Sequence, residues 1–159
     1  MNEIIKKEED LNYWHQKKIK VATKEITFRP VLSQMSLRAG ALYWANLGEN
    51  IGTEQNKFRP VIILSTERIN NGDAIIAPLS TKNGTVDSNY KPLNLEFIIK
   101  KINIENLNEE SKLVIKDYSV VKVGQIRLLN SARFDEKIGN ISPDLLNKIK
   151  IRIKTIFDI

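Results

Sequence analysis

The chain has 159 residues, of which 25 are Lys or Arg and 19 are Asp or Glu, giving a net charge of +6 with 42% hydrophobic residues. That size suits one compact domain with an appendage. The charge favours anionic partners: nucleic acid, an acidic protein or an anionic membrane surface. Cysteine is absent and His15 is the single histidine, which excludes disulfides, thiolate nucleophiles, two-histidine acid–base catalysis and a histidine-rich metal site within one chain.

Charges across Met1–Asp10 stand where a secretory signal needs its apolar stretch, and no run of 18 apolar residues exists, so a cytoplasmic protein without a membrane span is expected. Ile4, Ile5, Leu11, Trp14 and Ile19 recur at loosely helical spacing, predicting an amphipathic helix over residues 3–20. Residues 23–28 alternate like a short strand that Arg29-Pro30 breaks. Residues 1–37 are thus read as an extension. It either packs on its own domain or contacts RNA, a partner subunit or a separate inhibitory partner protein.

From Ala41 the pattern becomes β-rich. Leu42, Trp44 and Leu47 frame a first strand, followed by a polar loop over 48–58. Pro60 opens a second strand through Ser65, and residues 74–80 form a third that is interrupted or ends near Pro78. Residues 81–92 read as a loop and 93–98 as a further strand; 112–115 and 118–123 are β-prone, and 125–129 follow directly. Ser142 as N-cap, Pro143 at the first helical position and Asp144 in the first turn start a terminal helix. Its apolar stripe is Leu145, Leu146, Ile149, Ile153, Ile156 and Phe157. Several short strands closed by one helix suggest a small, strongly bent barrel.

Four segments occur in order with compatible spacing: Gly40-Ala-Leu-Tyr-Trp-Ala-Asn-Leu47, Gly52-Thr-Glu-Gln55, Arg59-Pro-Val-Ile-Ile-Leu64 and Ala74-Ile-Ile-Ala-Pro-Leu-Ser80. Together with Gln125-Ile-Arg127, Lys137-Ile-Gly139 and the capped final helix, they resemble the MazF/PemK family of toxin–antitoxin ribonucleases over residues 38–159. Two positions depart from the family pattern: Ala41 where an acidic residue is frequent, and Ser80 where the hydroxyl is usually a threonine's. The resemblance implies a mainly β fold with helices, an SH3-like barrel of the CcdB/PemK type. It also implies a homodimer, cleavage of single-stranded RNA at a short sequence, and inhibition by a cognate antitoxin, with no cofactor and no metal.

On this resemblance Arg59 and Ser80 are the expected catalytic pair, with the neighbouring Thr81 an alternative source of the hydroxyl. A guanidinium fork matches two phosphate oxygens, and a hydroxyl can donate to a phosphate as charge builds on it. Thr53, Glu54, Gln55 and Phe58 in the loop are candidate RNA contacts through base edges and stacking. Gln125 and Arg127 are two apart and share a strand face, so they are candidates for the same groove. Two other readings use the same scaffold: a CcdB-like toxin that binds gyrase and cuts nothing, and an RNA-binding regulator whose N-terminal arm blocks its own groove.

Overall fold

A computed structural model describes residues 2–80 and 86–159. Seven strands form an antiparallel sheet in the order β4-β5-β3-β2-β1-β7, with β6 alongside β3. The strands are β1 (Ala41–Asn46), β2 (Phe58–Ile63), β3 (Asp73–Ser80), β4 (Phe97–Lys100), β5 (Tyr118–Val121), β6 (Arg127–Asn130) and β7 (Phe134–Asn140). The ribbon curls until its ends meet: Glu105 N–H donates to Asn140 O at 2.7 Å, Asn140 N–H returns a bond to Glu105 O at 3.0 Å, and Asn108 N–H donates to Ile138 O at 2.9 Å. This is the bent, partly closed barrel expected from the strand pattern.

Because side chains alternate across a sheet, the two faces carry separate cores. One holds Leu42, Ile62, Ala77, Leu79, Ile99, Val121 and Ile138 and is closed by Leu146 and Ile149 of the terminal helix α3 (Pro143–Phe157). The other holds Tyr43, Ala45, Leu47, Val61, Ile63, Ile76, Leu129 and Phe134. Helix α3 starts as read, with Ser142 Oγ accepting from Leu145 N–H at 3.2 Å. Of its stripe Leu146 and Ile149 are buried, Leu145, Ile153 and Ile156 are partly buried against the core, and Phe157 is exposed.

Helix α1 differs most from expectation, spanning Glu3–Leu32 with the residues expected as a strand wound into it. Asn2 caps it by accepting from Ile4 N–H. Once the helix is nucleated, each further residue adds a hydrogen bond, and the Glu25–Arg29 ion pair at i,i+4 spacing supports the β-branched stretch. Pro30 brings the stop within two residues. The packed stripe is also not the expected one. Ile4, Ile5, Leu11 and Ile19 are exposed, and contact with the domain runs through Lys7, Trp14, Val21 and Leu32.

Further strand expectations are corrected. Pro60 is the third residue of β2, tolerated because β3 pairs with β2 only from Val61, leaving one edge at Pro60 without ladder bonds. Residues 93–96 are a turn that precedes β4, with Glu96 buried and Leu93 and Leu95 exposed, the reverse of the expected alternation. Residues 112–114 belong to helix α2 (Glu109–Val114), because Asn108 caps its start by accepting from Ser111 N–H at 2.7 Å and Glu109 and Glu110 favour its positive end. β3 passes through Pro78 without a break, because β5 takes over its far edge there: Lys122 N–H donates to Pro78 O at 2.9 Å.

Candidate active site and RNA groove

The register of β2 on β3 sets the geometry. Val61 opposes Pro78, Ile62 opposes Ala77 and Ile63 opposes Ile76. The ladder ends at the Val61–Pro78 pair; by alternation Arg59, two residues before Val61, and Ser80, two residues after Pro78, point to the same side of the sheet. Both then lie on the face that carries Val61, Ile63 and Ile76, at the open end of the second core. Arg127 opposes Ile76 from β6 and, two residues before the buried Leu129, belongs to that face as well. One face of the curled sheet therefore presents two arginines and a hydroxyl.

Arg59 is held by local bonds. Its Nε–H donates to Asn56 O at 2.6 Å and its Nη1 donates to Gln55 Oε1. Among the described residues no carboxylate pairs with it, and burial pulls its pKa below the usual arginine value. A half-buried cation without a counter-ion attracts an anion more strongly than one in bulk water. Ser80 is 8% exposed at the end of β3, where Val120 of β5 pairs with it. Thr81 lies outside the described residues.

A groove of about 910 Å³ runs beside this face between the β1–β2 loop and the segment before β6. Thr53, Glu54, Gln55, Gln125 and Arg127 line it. Gln125, a turn residue rather than a strand residue, fastens the loop: its Oε1 accepts from Gln55 N–H at 2.6 Å and its Nε2 donates to Thr53 O at 3.0 Å. Glu54 accepts from Ile51 N–H at 3.2 Å, which shapes the loop from within. Phe58 is not brought to this groove. It neighbours Arg59 along the strand, so its side chain takes the opposite face, where it stacks on Trp44 with centroids 5.4 Å apart and planes 13° from parallel.

The structure adds residues that the sequence reading did not single out. Buried Glu96 and partly buried Lys122 line the groove as an ion pair at 2.6 Å. Tyr90 OH donates to the same carboxylate at 2.7 Å, and Leu93 N–H at 3.2 Å. Burial opposes the charge on Glu96, but these donors together hold its pKa below the usual glutamate value. Arg133, just before β7, is the other addition; burial and then the nearby charge of Arg127 lower its pKa. Neither stands in a motif, since only the fold brings the 90s, the 120s and residue 133 to one surface. Among the described residues no group of three or more His, Asp or Glu side chains is placed to hold a metal ion.

Comparison with known proteins shows what the chain is similar to. Residues 38–157 match the family described as PemK-like, MazF-like toxin of type II toxin–antitoxin system. Endoribonuclease EndoA of Bacillus subtilis is 25% identical over 117 residues, 72% of this chain and 89% of its own. MazF from Deinococcus radiodurans superposes with a TM-score of 0.55 at 21% identity, covering 79% of this chain and 100% of that one. The MazE–MazF structure from the same organism matches with a TM-score of 0.50 at 19% identity, covering 79% and 99%.

Proposed function

The chain belongs to the PemK-like, MazF-like toxin family of type II toxin–antitoxin systems, and on that premise we propose that it is a sequence-specific endoribonuclease of single-stranded RNA, acting without a metal and restrained by a cognate antitoxin. The 2′-hydroxyl of the RNA gives up its proton and attacks the adjacent phosphorus. The P–O5′ bond breaks, leaving a 2′,3′-cyclic phosphate, and the departing 5′-oxygen takes up a proton. Arg59 neutralises the charge that builds on the nonbridging oxygens, and Ser80 donates to the same phosphate. The active unit is a homodimer.

The observation that carries this reading is the half-buried guanidinium of Arg59, without a carboxylate partner among the described residues, aimed by Gln55 and Asn56. The strand alternation that sets Ser80 on the same face as Arg59, and the groove lined by Gln55, Pro78 and Arg127, support the same chemistry. Fixing the nucleophile in line supplies part of the acceleration.

Primer-extension mapping of a long RNA incubated with the protein in EDTA tests the reading. Cuts at a recurring short sequence, lost by roughly 10²–10³-fold in a folded Arg59→Ala variant, are expected. Growth arrest by Arg59→Ala without RNA cleavage would instead favour a CcdB-like binding toxin.

A further inference from the structure

The groove has a continuation walled by helix α1, which lies outside the residues matched to the family. Asn50 and Arg127 border the groove and are also walls of a second cleft of about 540 Å³. Across that cleft, Asn12, Trp14, His15 and Lys18 of α1 face Arg127 and Arg133 of the domain. The family match begins at residue 38, so the shared domain by itself has no such wall.

The cleft is built to hold positive charge in place. Arg133 Nη1 donates to Asn46 O at 3.3 Å, and its guanidinium lies 5.5 Å from the Trp14 ring centroid. The same indole closes on Gly48, where a Cβ would come within 2.7 Å of the ring, so only glycine lets α1 seat so closely. Arg127 Nη1 donates to Leu47 O at 3.4 Å. Each guanidinium has five N–H donors, so each keeps several for a ligand. Among the described residues no carboxylate pairs with either. Glu49, the acid that lines the cleft, is already bound by Lys7. The exposed Lys18 adds a third cation on the helix side.

We propose that this cleft is an additional subsite of the RNA track, in which Arg133 and Lys18 take a backbone phosphate of a nucleotide flanking the one being cut and Arg127 bridges cleft and groove. The proposal rests on the reading of the protein as an RNA-cutting enzyme. A single strand leaving the groove past Arg127 enters the cleft without turning away from the surface, because the two share that wall. A phosphate there meets cations already paid for by folding, with their geometry fixed by carbonyls and an indole. The arm thereby lengthens the strand that the enzyme holds.

The test uses the full-length protein, a single-stranded RNA of about 20 nucleotides spanning a mapped cut with a 2′-deoxy sugar at the scissile position, and the same RNA trimmed to the recognised core. Lys18→Ala should weaken binding of the long RNA several-fold and lower the slope of log K against log salt by about 0.7, the value for one lost phosphate contact on a single strand. Arg133→Gln should do the same, and both losses should exceed those on the trimmed RNA. Lys18 is exposed, so its variants keep the fold and the slope reports charge contact alone. Unchanged affinity and slope for Lys18→Ala and Lys18→Glu would overturn the subsite. Tighter binding in those variants would overturn it too, by showing that the arm competes with RNA. If the wild-type protein neither binds nor cuts RNA, the functional reading itself fails; RNA cleavage with Lys18 and Arg133 variants that bind like the wild type overturns the subsite and leaves that reading standing.

Discussion

In the proposed mechanism Ser80 supplies the hydroxyl that the family resemblance implies for a threonine, and its place in the strand supports a serine in that role. A threonine's methyl restricts its rotamer. Ser80 is instead confined by burial and by its pairing with Val120 of β5, which follows β6 along the edge of β3 away from β2. A hydrogen bond to a charged acceptor is worth about 1.5–3 kcal/mol, or roughly 10–100-fold in rate. Ser80→Ala should lose that factor in kcat with little change in KM, because the bond strengthens only as charge develops on the phosphate. Ser80→Thr should retain activity. Single-turnover cleavage of a fluorogenic RNA measures both, and a Ser80→Ala enzyme as fast as wild type would move the hydroxyl's role to another residue. Arg59 is a different case at the same scale. Its contacts to Asn56 O and Gln55 aim the planar fork, and a lysine's compact charge would not reproduce that aim.

Among the elements, β7 decides whether the barrel closes. It runs beside β1 on one edge, and its end meets residues 105–108 on the other. Gly139 permits this: a Cβ there would lie 2.6 Å from Glu105 O and 2.8 Å from Ile104 Cγ2. Backbone cannot swing aside as a flexible side chain can, so Gly139→Ala should cost about 1–3 kcal/mol. Urea unfolding would show this as a lower midpoint, and an unchanged midpoint would mean that the closing segment yields freely. Legibility in the sequence also divides by element. β1, β2 and β3 were readable because their apolar runs are bounded by turn chemistry, and α3 because Ser142, Pro143 and Asp144 act locally. β7 was not, since Asp135, Glu136 and Lys137 interrupt its pattern and only Phe134, Ile138 and Gly139 are buried. Residues 23–28 and 112–114 have strand-like composition, but a helix already under way and the Asn108 cap determine their state. The site divides the same way. Arg59, Ser80, Gln55 and Arg127 sit in recognisable strings. Glu96, Lys122 and Arg133 reach the groove and cleft only through β5, the turn before β4 and the start of β7.

At the scale of the whole molecule, α1 and the barrel are two bodies joined by a narrow seam. Within α1 only Leu32 is fully buried, and a long row of its apolar side chains stays exposed. Besides the packing of Val21 and Leu32, the seam includes Lys7 on Glu49 and Asn50, Trp14 between Gly48 and Arg133, and Lys24 reaching Ala132 O at 3.4 Å. An element with so little buried surface opens before the domain it rests on. The barrel has its own closed core and does not need the helix to exclude water. Trp14→Ala should therefore raise amide exchange across the N-terminal half of α1 by roughly 10–100-fold, the effect of losing about 1.5–3 kcal/mol of apolar contact, while the barrel's Tm stays within about 2 °C. Hydrogen-exchange mass spectrometry of the intact chain distinguishes the two bodies. A barrel Tm that fell in step with the arm would show that they fold as one unit, and the helix would then belong to the core rather than to a separate wall laid against it. Seated by Trp14 alone at its centre, that wall keeps Lys18 across from Arg133 only while the indole stays in place, so the same substitution should also lower the salt slope of RNA binding.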